Sequence, residues 1–306
     1  MSAGVKRIPY WDWLKGILIF LVVLGHTGTA LGDKWLSVIY AFHMPLFVFV
    51  SGYFSRRKGS LWESVKKLVI LYLIFNTAYI FLDIALGESL SIQRILTPSF
   101  AMWYLLSLVF WRAMIYFMPE KWESKLWLLL VTSFILSIAA GFAPVGTLLS
   151  FQRTFTFLPF FMGGYLLRKN AIEWPNMVFK HRYLAIAVIV LLGLSVVNYM
   201  FMPVFYANHP FISTDEMLMR VLQTVVAAAL SLSILVLTPN KSGGVSELGK
   251  SSLMVYILHP PMVKLLKMAC AVGGAEMTPL IALAISVVVV VILHRIRNLK
   301  LLKYIS

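Results

Sequence analysis

The feature that most limits what this chain can fold into is a recurrence of apolar runs, each about 17 to 23 residues long, between short polar or Gly/Pro breaks. At about 1.5 Å per residue, a helix of that length crosses a hydrocarbon core of about 30 Å. The runs have approximate centres at Val22, Phe47, Leu73, Val109, Leu130, Leu158, Val190, Ala228, Leu258 and Val288. The pattern predicts an all-α polytopic membrane protein of about ten transmembrane helices. The sixth run is the least apolar, because Gln152, Arg153 and Thr154 interrupt it. Composition agrees: 60% of the 306 residues are hydrophobic and 13% charged, where soluble domains carry about 25% charge. No linker or shift in composition divides the chain, so residues 1–306 read as a single integral-membrane domain. The first run contains His26 and lacks a small-x-small cleavage pattern, which marks it as a retained helix rather than a signal peptide.

Orientation follows from the basic residues. Of 27, twenty fall in loops on the N-terminal side, including Lys6, Arg7, Arg57, Lys58, Lys66, Arg168, Lys241, Arg295, Lys300 and Lys303. The opposite side carries only Lys34, Arg94, Arg220, Lys264 and Lys267, while Lys15 and Arg153 lie within spans. Cytoplasmic loops accumulate Lys and Arg, so both termini are expected in the cytoplasm, as an even number of spans requires. The net charge of +15 is then a topology signal and an attraction to anionic lipid heads of the bilayer, with no nucleic-acid partner implied.

Titratable groups inside apolar spans cost a few kcal/mol each and need a partner, a cavity or a route to the surface. Asp12, Lys15 and His26 stand out in the first run. Lys15 and His26 are eleven residues apart, which returns to within roughly 20° of one helical face over about 16 Å. Asp12 and Lys15 can equally form an interfacial i, i+3 ion pair with His26 a satisfied core histidine. Ideal helices place His26 about 8 Å, His43 about 12 Å and Arg153 about 9 Å below the outer face. That layer suggests a hydrated cavity, although an arginine at such depth can also snorkel outward. His259, followed by Pro260 and Pro261, is expected nearer the cytoplasmic side, at a kink that frees backbone carbonyls.

A histidine in a protected cavity can take a proton from an alcohol and pass it to a leaving group. Cys270, the single cysteine, lies near an outer loop and cannot form an internal disulfide. No nucleophile elbow, phosphate-cradling loop, zinc box or dinucleotide fingerprint occurs. A cation at one end of the stripe and a histidine about 16 Å further in suit a long anionic donor entering head-out and tip-in.

Three stretches carry a resemblance: Lys15 to His26, Phe42-His43-Met44-Pro45-Leu46-Phe47-Val48-Phe49-Val50-Ser51-Gly52-Tyr53, and the basic start of the third run. They resemble the membrane acyltransferase 3 family and, more narrowly, its fucose 4-O-acetylase-like branch. Met102-Trp103-Tyr104-Leu105, Leu158-Pro159-Phe160-Phe161-Met162-Gly163-Gly164-Tyr165 and Ser252-Leu253-Met254-Val255-Tyr256-Ile257-Leu258-His259 are similar to later family blocks. The resemblance implies a ten-helix enzyme of the bacterial inner membrane. Such an enzyme moves an acyl group, usually acetyl, from cytoplasmic acyl-CoA to a hydroxyl of an envelope carbohydrate or lipid-linked glycan. His26 matches the family's essential histidine and Lys15 its basic partner.

On this reading His26 and His43 are the catalytic candidates. Lys15, Asp12, Tyr256 and His259 are candidates for binding acetyl-CoA, and Arg153, Trp103 and Tyr104 for binding the acceptor. No metal is expected. The stretch from Tyr199 to Glu216, with its aromatics and His209, is a candidate for acceptor contact. A secondary transporter with an intramembrane proton relay through the same His/Arg/Lys layer remains the alternative. A flippase or structural subunit, in which the histidines are incidental, is a third.

Overall fold

A computed structural model describes residues 7–27, 31–56, 59–123, 125–169, 180–297 and 299. Lys6, Arg57, Lys58, Lys300 and Lys303, part of the charge partition above, lie outside the described residues. The described residues form helices without strands. In chain order these are α1 (Pro9–Thr27), α2 (Asp33–Phe54), α3 (Leu61–Ala85), α4 (Ile92–Leu96) and α5 (Trp103–Phe117), then α6 (Glu120–Glu123), α7 (Leu126–Gly141), α8 (Phe151–Thr156) and α9 (Leu158–Lys169). They continue as α10 (His181–Phe201), α11 (Thr214–Leu237), α12 (Gly244–Lys250), α13 (Ser252–Val272) and α14 (Pro279–Ile296).

Each of the ten expected centres falls within a helix. Among the described residues seven helices are long and apolar enough to cross a membrane: α2, α3, α5 with the turn before it, α10, α11, α13 and α14. The other three expected spans fall on α1, which carries Asp12, Lys15 and His26, on the 16-residue α7, and on the broken pair α8–α9. α10 and α14 leave large apolar side chains such as Ile189, Leu192, Leu280 and Val288 exposed, as a lipid-facing surface demands. The chain is a multi-pass helical membrane protein.

The helices group into two compact units, with α2 and α11 contributing to both. The first comprises Met1–Met44, Glu173–Val204 and Val226–Ser306. Lipid tails are as apolar as leucine, so close backbone approach and hydrogen bonds must hold such helices together. α1 and α12 achieve this with two glycines. A Cβ on Gly16 would sit 2.0 Å from the Val245 carbonyl oxygen, and one on Gly249 would sit 1.7 Å from the Asp12 carbonyl oxygen. Tyr10 fastens the start of α1, its backbone N–H donating to Asn240 Oδ1 (3.1 Å) and its hydroxyl to the Leu235 carbonyl (2.5 Å). Toward the other end, the Thr27 and Ser286 hydroxyls pair at 2.8 Å.

The second unit comprises Pro45–Ile172 and Phe205–Val225. It repeats the device between α2 and α9. A Cβ on Gly52 would lie 1.9 Å from the Phe161 carbonyl oxygen, and one on Gly164 would lie 1.9 Å from that of Phe49. The second and sixth runs, singled out by their motifs, therefore pack on one another through reciprocal glycines. Before α8 the chain passes through two consecutive left-handed residues, Leu149 (φ 47°) and Ser150 (φ 61°), a conformation disfavoured without glycine. Polar groups hold this turn. Ser107 Oγ lies 2.9 Å from Ser150 Oγ and 2.8 Å from Thr154 Oγ1, and Trp111 Nε1 donates to the Thr154 carbonyl at 2.8 Å.

Candidate functional site

In the first unit the site begins at the foot of α1. Asp12 and Lys15 are one turn apart on the helix, and Lys15 Nζ lies 2.7 Å from Asp12 Oδ1. Asp12 is buried, at 4% exposure, while Lys15 is partly exposed. A buried carboxylate requires a compensating charge, and the i, i+3 spacing supplies it.

Further along α1 the chain presents His26, and its imidazole meets that of His259 on α13. The ring centroids are 5.1 Å apart with planes inclined at 48°. This corrects the expectation that His259 lies apart, nearer the cytoplasmic side. Depth measured from the start of α13 misleads, because α12 already runs alongside α1. Gly249 meets the backbone of Asp12 and Gly16, and His26 and His259 each follow ten residues after Gly16 and Gly249. The glycine contacts fix the level at which the α12–α13 segment meets α1, and the two rings come together ten residues beyond them.

His259 is fully buried, and its Nδ1 lies 3.0 Å from the Val255 carbonyl one turn back. A carbonyl only accepts, so Nδ1 carries the proton and Nε2 is left as an acceptor. That Nε2 is buried without a hydrogen-bond partner. Tyr256 flanks the pair, its ring centroid 6.1 Å from that of His259. Lys267, two turns further along α13, donates from Nζ to the His26 carbonyl at 2.9 Å. It thereby satisfies an acceptor that the end of α1 leaves open. His43, on α2, is buried and donates from Nδ1 to the Ile39 carbonyl at 2.7 Å. Tyr40 bridges toward α1, its ring 4.7 Å from His43 and in contact range of Gly25, beside His26.

In the second unit the kink before α8 aims its polar residues. Gln152 is fully buried and its Nε2 donates to the carbonyls of Ala140 (2.8 Å) and Ala143 (2.9 Å), closing the end of α7. Arg153 leaves the same turn with its guanidinium 5.0 Å from the centroid of Trp103, and its Nε donates to the Tyr206 carbonyl at 3.1 Å. Trp103 in turn stacks on Phe157 at 5.5 Å. The Tyr104 hydroxyl forms a short hydrogen bond with Ser51 Oγ, and its ring lies 5.9 Å from Phe47. Arg153 and Trp103, named from separate runs, thus come together, while Tyr104 ties to the second motif.

Two cations were assigned by sequence to topology alone and turn out to be structural participants: Lys267, on His26, and Arg220, buried on α11 with its Nη2 donating to the His209 carbonyl at 2.7 Å. The available signal was position. Lys267 stands among Leu265, Leu266 and Met268, and Arg220 among Leu218, Val221 and Leu222, where a topology charge belongs in a polar break.

A helical membrane protein carrying a pair of touching imidazoles, one half-buried and one fully buried, with a paired cation at the foot of the same helix, is thereby defined. A family model described as an acyltransferase domain (acyltransferase 3) matches residues 8–295, and the chain belongs to that family. It is similar to the nodulation protein NolL of Sinorhizobium fredii, 26% identical over 310 residues that cover 86% of this chain and 80% of that protein. It is also similar to NolL of Mesorhizobium japonicum, 28% identical over 206 residues, or 58% of this chain and 52% of that protein. No solved structure matches. The chain is an acyltransferase by family.

Proposed function

We propose that the protein transfers an acyl group, acetyl above all, from cytoplasmic acyl-CoA to a hydroxyl of an envelope carbohydrate or lipid-linked glycan. The bacterial inner membrane is the proposed location, and the fucose 4-O-acetylase-like branch the proposed place within the family. The observation that carries the reading is the contact between His26 and the fully buried His259 in the first unit of an acyltransferase-family chain.

In this mechanism His26 removes the proton from the acceptor hydroxyl as its oxygen attacks the thioester carbonyl. Collapse of the tetrahedral intermediate breaks the C–S bond, and the imidazolium returns the proton to the departing thiolate. The Nε2 of His259 is fixed as an acceptor by the Nδ1 bond to Val255. The His259 ring packs against that of His26, centroid to centroid 5.1 Å, and positions the His26 imidazole by that contact. Lys267 holds the backbone that carries His26. Asp12, Lys15 and Tyr256 serve the donor, Lys15 attracting the CoA phosphates; Arg153, Trp103 and Tyr104 serve the acceptor, with His43 assisting through Tyr40. A guanidinium over an indole and an adjacent phenol offer the apolar face and polar rim that a sugar ring needs.

The test is thiol release from acetyl-CoA by protein purified into nanodiscs and supplied with a lipid-linked glycan pool, wild type against His26→Ala. Release by the wild type that falls about 100-fold or more in the variant supports the base role. Equal release from both overturns it. No release, with proton-coupled uptake by the same preparation in liposomes, moves the reading to a transporter.

A further inference from the structure

Arg220 is the second unit's deepest unexplained charge. It lies at 7% exposure, six residues into α11, with its guanidinium 4.3 Å from the centroid of Phe211. Nη2 donates to the His209 carbonyl, but Nη1 is buried with no hydrogen-bond partner. A guanidinium N–H left in that state has given up its water without a replacement and calls for an acceptor. Glu216, one turn earlier on α11, offsets part of the charge through space, yet its carboxylate is engaged by the Ile212 N–H at 2.6 Å.

The segment that Arg220 holds is also held by Arg153. Their partners, the carbonyls of His209 and Tyr206, are three residues apart, a separation of at most about 11 Å. Between them Ala207 takes a left-handed φ of 51°. Downstream, the Phe211 N–H donates to the Gly141 carbonyl at 2.7 Å, and its ring occupies the space that a Cβ on Gly141 would need. Two guanidiniums thus rest on two neutral carbonyls of one partly exposed strap. Anionic oxygens are stronger partners, by roughly a factor of two per bond, and suit the planar fork of arginine.

We propose that Arg220, together with Arg153 and the strap from Phe205 to Ser213, forms a binding site for a phosphate group carried by the acceptor. This deepens the acyl-transfer reading and rests on it: the acceptor is an anionic, phosphate-linked carrier glycan rather than a neutral free sugar. The phosphate takes Nη1 of Arg220 and displaces the strap carbonyls. The Phe211 ring, 4.3 Å from the guanidinium, limits how that planar group can turn.

The test uses the full chain in phosphatidylcholine nanodiscs without acyl-CoA, so that binding is read apart from turnover. A polyprenyl phosphate is titrated against wild type, Arg220→Gln and Arg220→Lys, with folding of each checked by thermal melting. Expected are saturable binding by the wild type and weakening of about tenfold or more in both variants. The lysine variant keeps the charge, so the comparison stands even where the glutamine variant does not fold. A parallel titration in nanodiscs containing phosphatidylglycerol separates the sources. Competition by that lipid at equal affinity assigns the site to headgroups and overturns an acceptor site. Absent binding by the wild type, or equal binding by wild type and Arg220→Lys, also overturns it. If binding follows Arg220 but no thiol release occurs with any acceptor, the phosphate site stands and the acyl-transfer reading fails. If release occurs and is indifferent to Arg220, the reverse holds.

Discussion

At the scale of single residues, the account separates groups that act on the reaction from groups that place them. His259→Ala is expected to lower kcat by roughly ten- to a hundredfold with little change in KM for acyl-CoA, because it removes the ring that positions His26 and no donor contact. Lys15→Ala is expected to raise KM for acyl-CoA several-fold with a smaller change in kcat, since a phosphate contact is lost equally from ground and transition states. Steady-state kinetics in nanodiscs check both, and an inverted pattern would reassign the two residues. His26 and Lys15 were legible because a charge or imidazole inside an apolar run has no ordinary reason to be there. The partnership of His26 with His259 was not, because it depends on the offset between α1 and α13 that Gly16 and Gly249 set. Sequence spacing measures depth along one helix and says nothing of how two helices are staggered.

Among the elements, the glycine approaches make the sharpest claims. Gly52→Ala and Gly164→Ala would each place a methyl within 1.9 Å of a carbonyl oxygen, so the helices must separate. A loss of about 1–3 kcal/mol or more is expected for each, read as lower thermal stability in detergent. Gly193→Ala on α10, where nothing lies within 4 Å of the added methyl, is the control. It is expected to be neutral or to stabilise by up to about 1 kcal/mol. The clamp between α12 and the end of α14 makes a claim about pH. Lys250, then Arg297, hold the Glu247 carboxyl below the usual carboxylate range, with Arg297 Nη2 at 3.1 Å from Oε2 and Nη1 donating to the Glu247 carbonyl at 2.9 Å. A depressed folded-state pKa gives stability that is complete above the unfolded value of about 4.3 and is lost as pH falls through the folded one. The pair is partly exposed, so the contribution is below about 1 kcal/mol. The difference between wild type and Glu247→Gln in melting curves from pH 7 downward is expected to be full above about pH 4.3, to shrink below it, and to vanish once pH has fallen through the depressed folded-state value. Helix positions were readable from the apolar runs, since length and hydropathy alone fix them. The break at Leu149 and Ser150 was announced only by the polar cluster Gln152 to Thr154. The Gln152 and Thr154 side chains turn inward to close α7 and to bind Ser107, which no period in the sequence encodes.

At the scale of the whole molecule, the charge partition carries a proposal on orientation. With Cys270→Ser as background, Ser242→Cys is expected to react with an impermeant maleimide only after the cells are opened. Ile212→Cys, on the opposite side by sequence and 87% exposed, is expected to react in intact cells. The reverse pattern would overturn cytoplasmic termini. On the proposed reading, the Asp12–Lys15 pair serves the donor and the strap around His209 the acceptor. Residues 8–295 match one acyltransferase-family model, so both ends of the proposed reaction fall within the matched span. The most direct test of the central claim is transfer of labelled acetyl from acetyl-CoA into the membrane glycan fraction by vesicles carrying wild type, His26→Ala or His259→Ala at equal protein levels. The account predicts label in glycan with the wild type, a loss of about 100-fold or more with His26→Ala and a smaller loss with His259→Ala. Label that enters glycan equally in all three would contradict it.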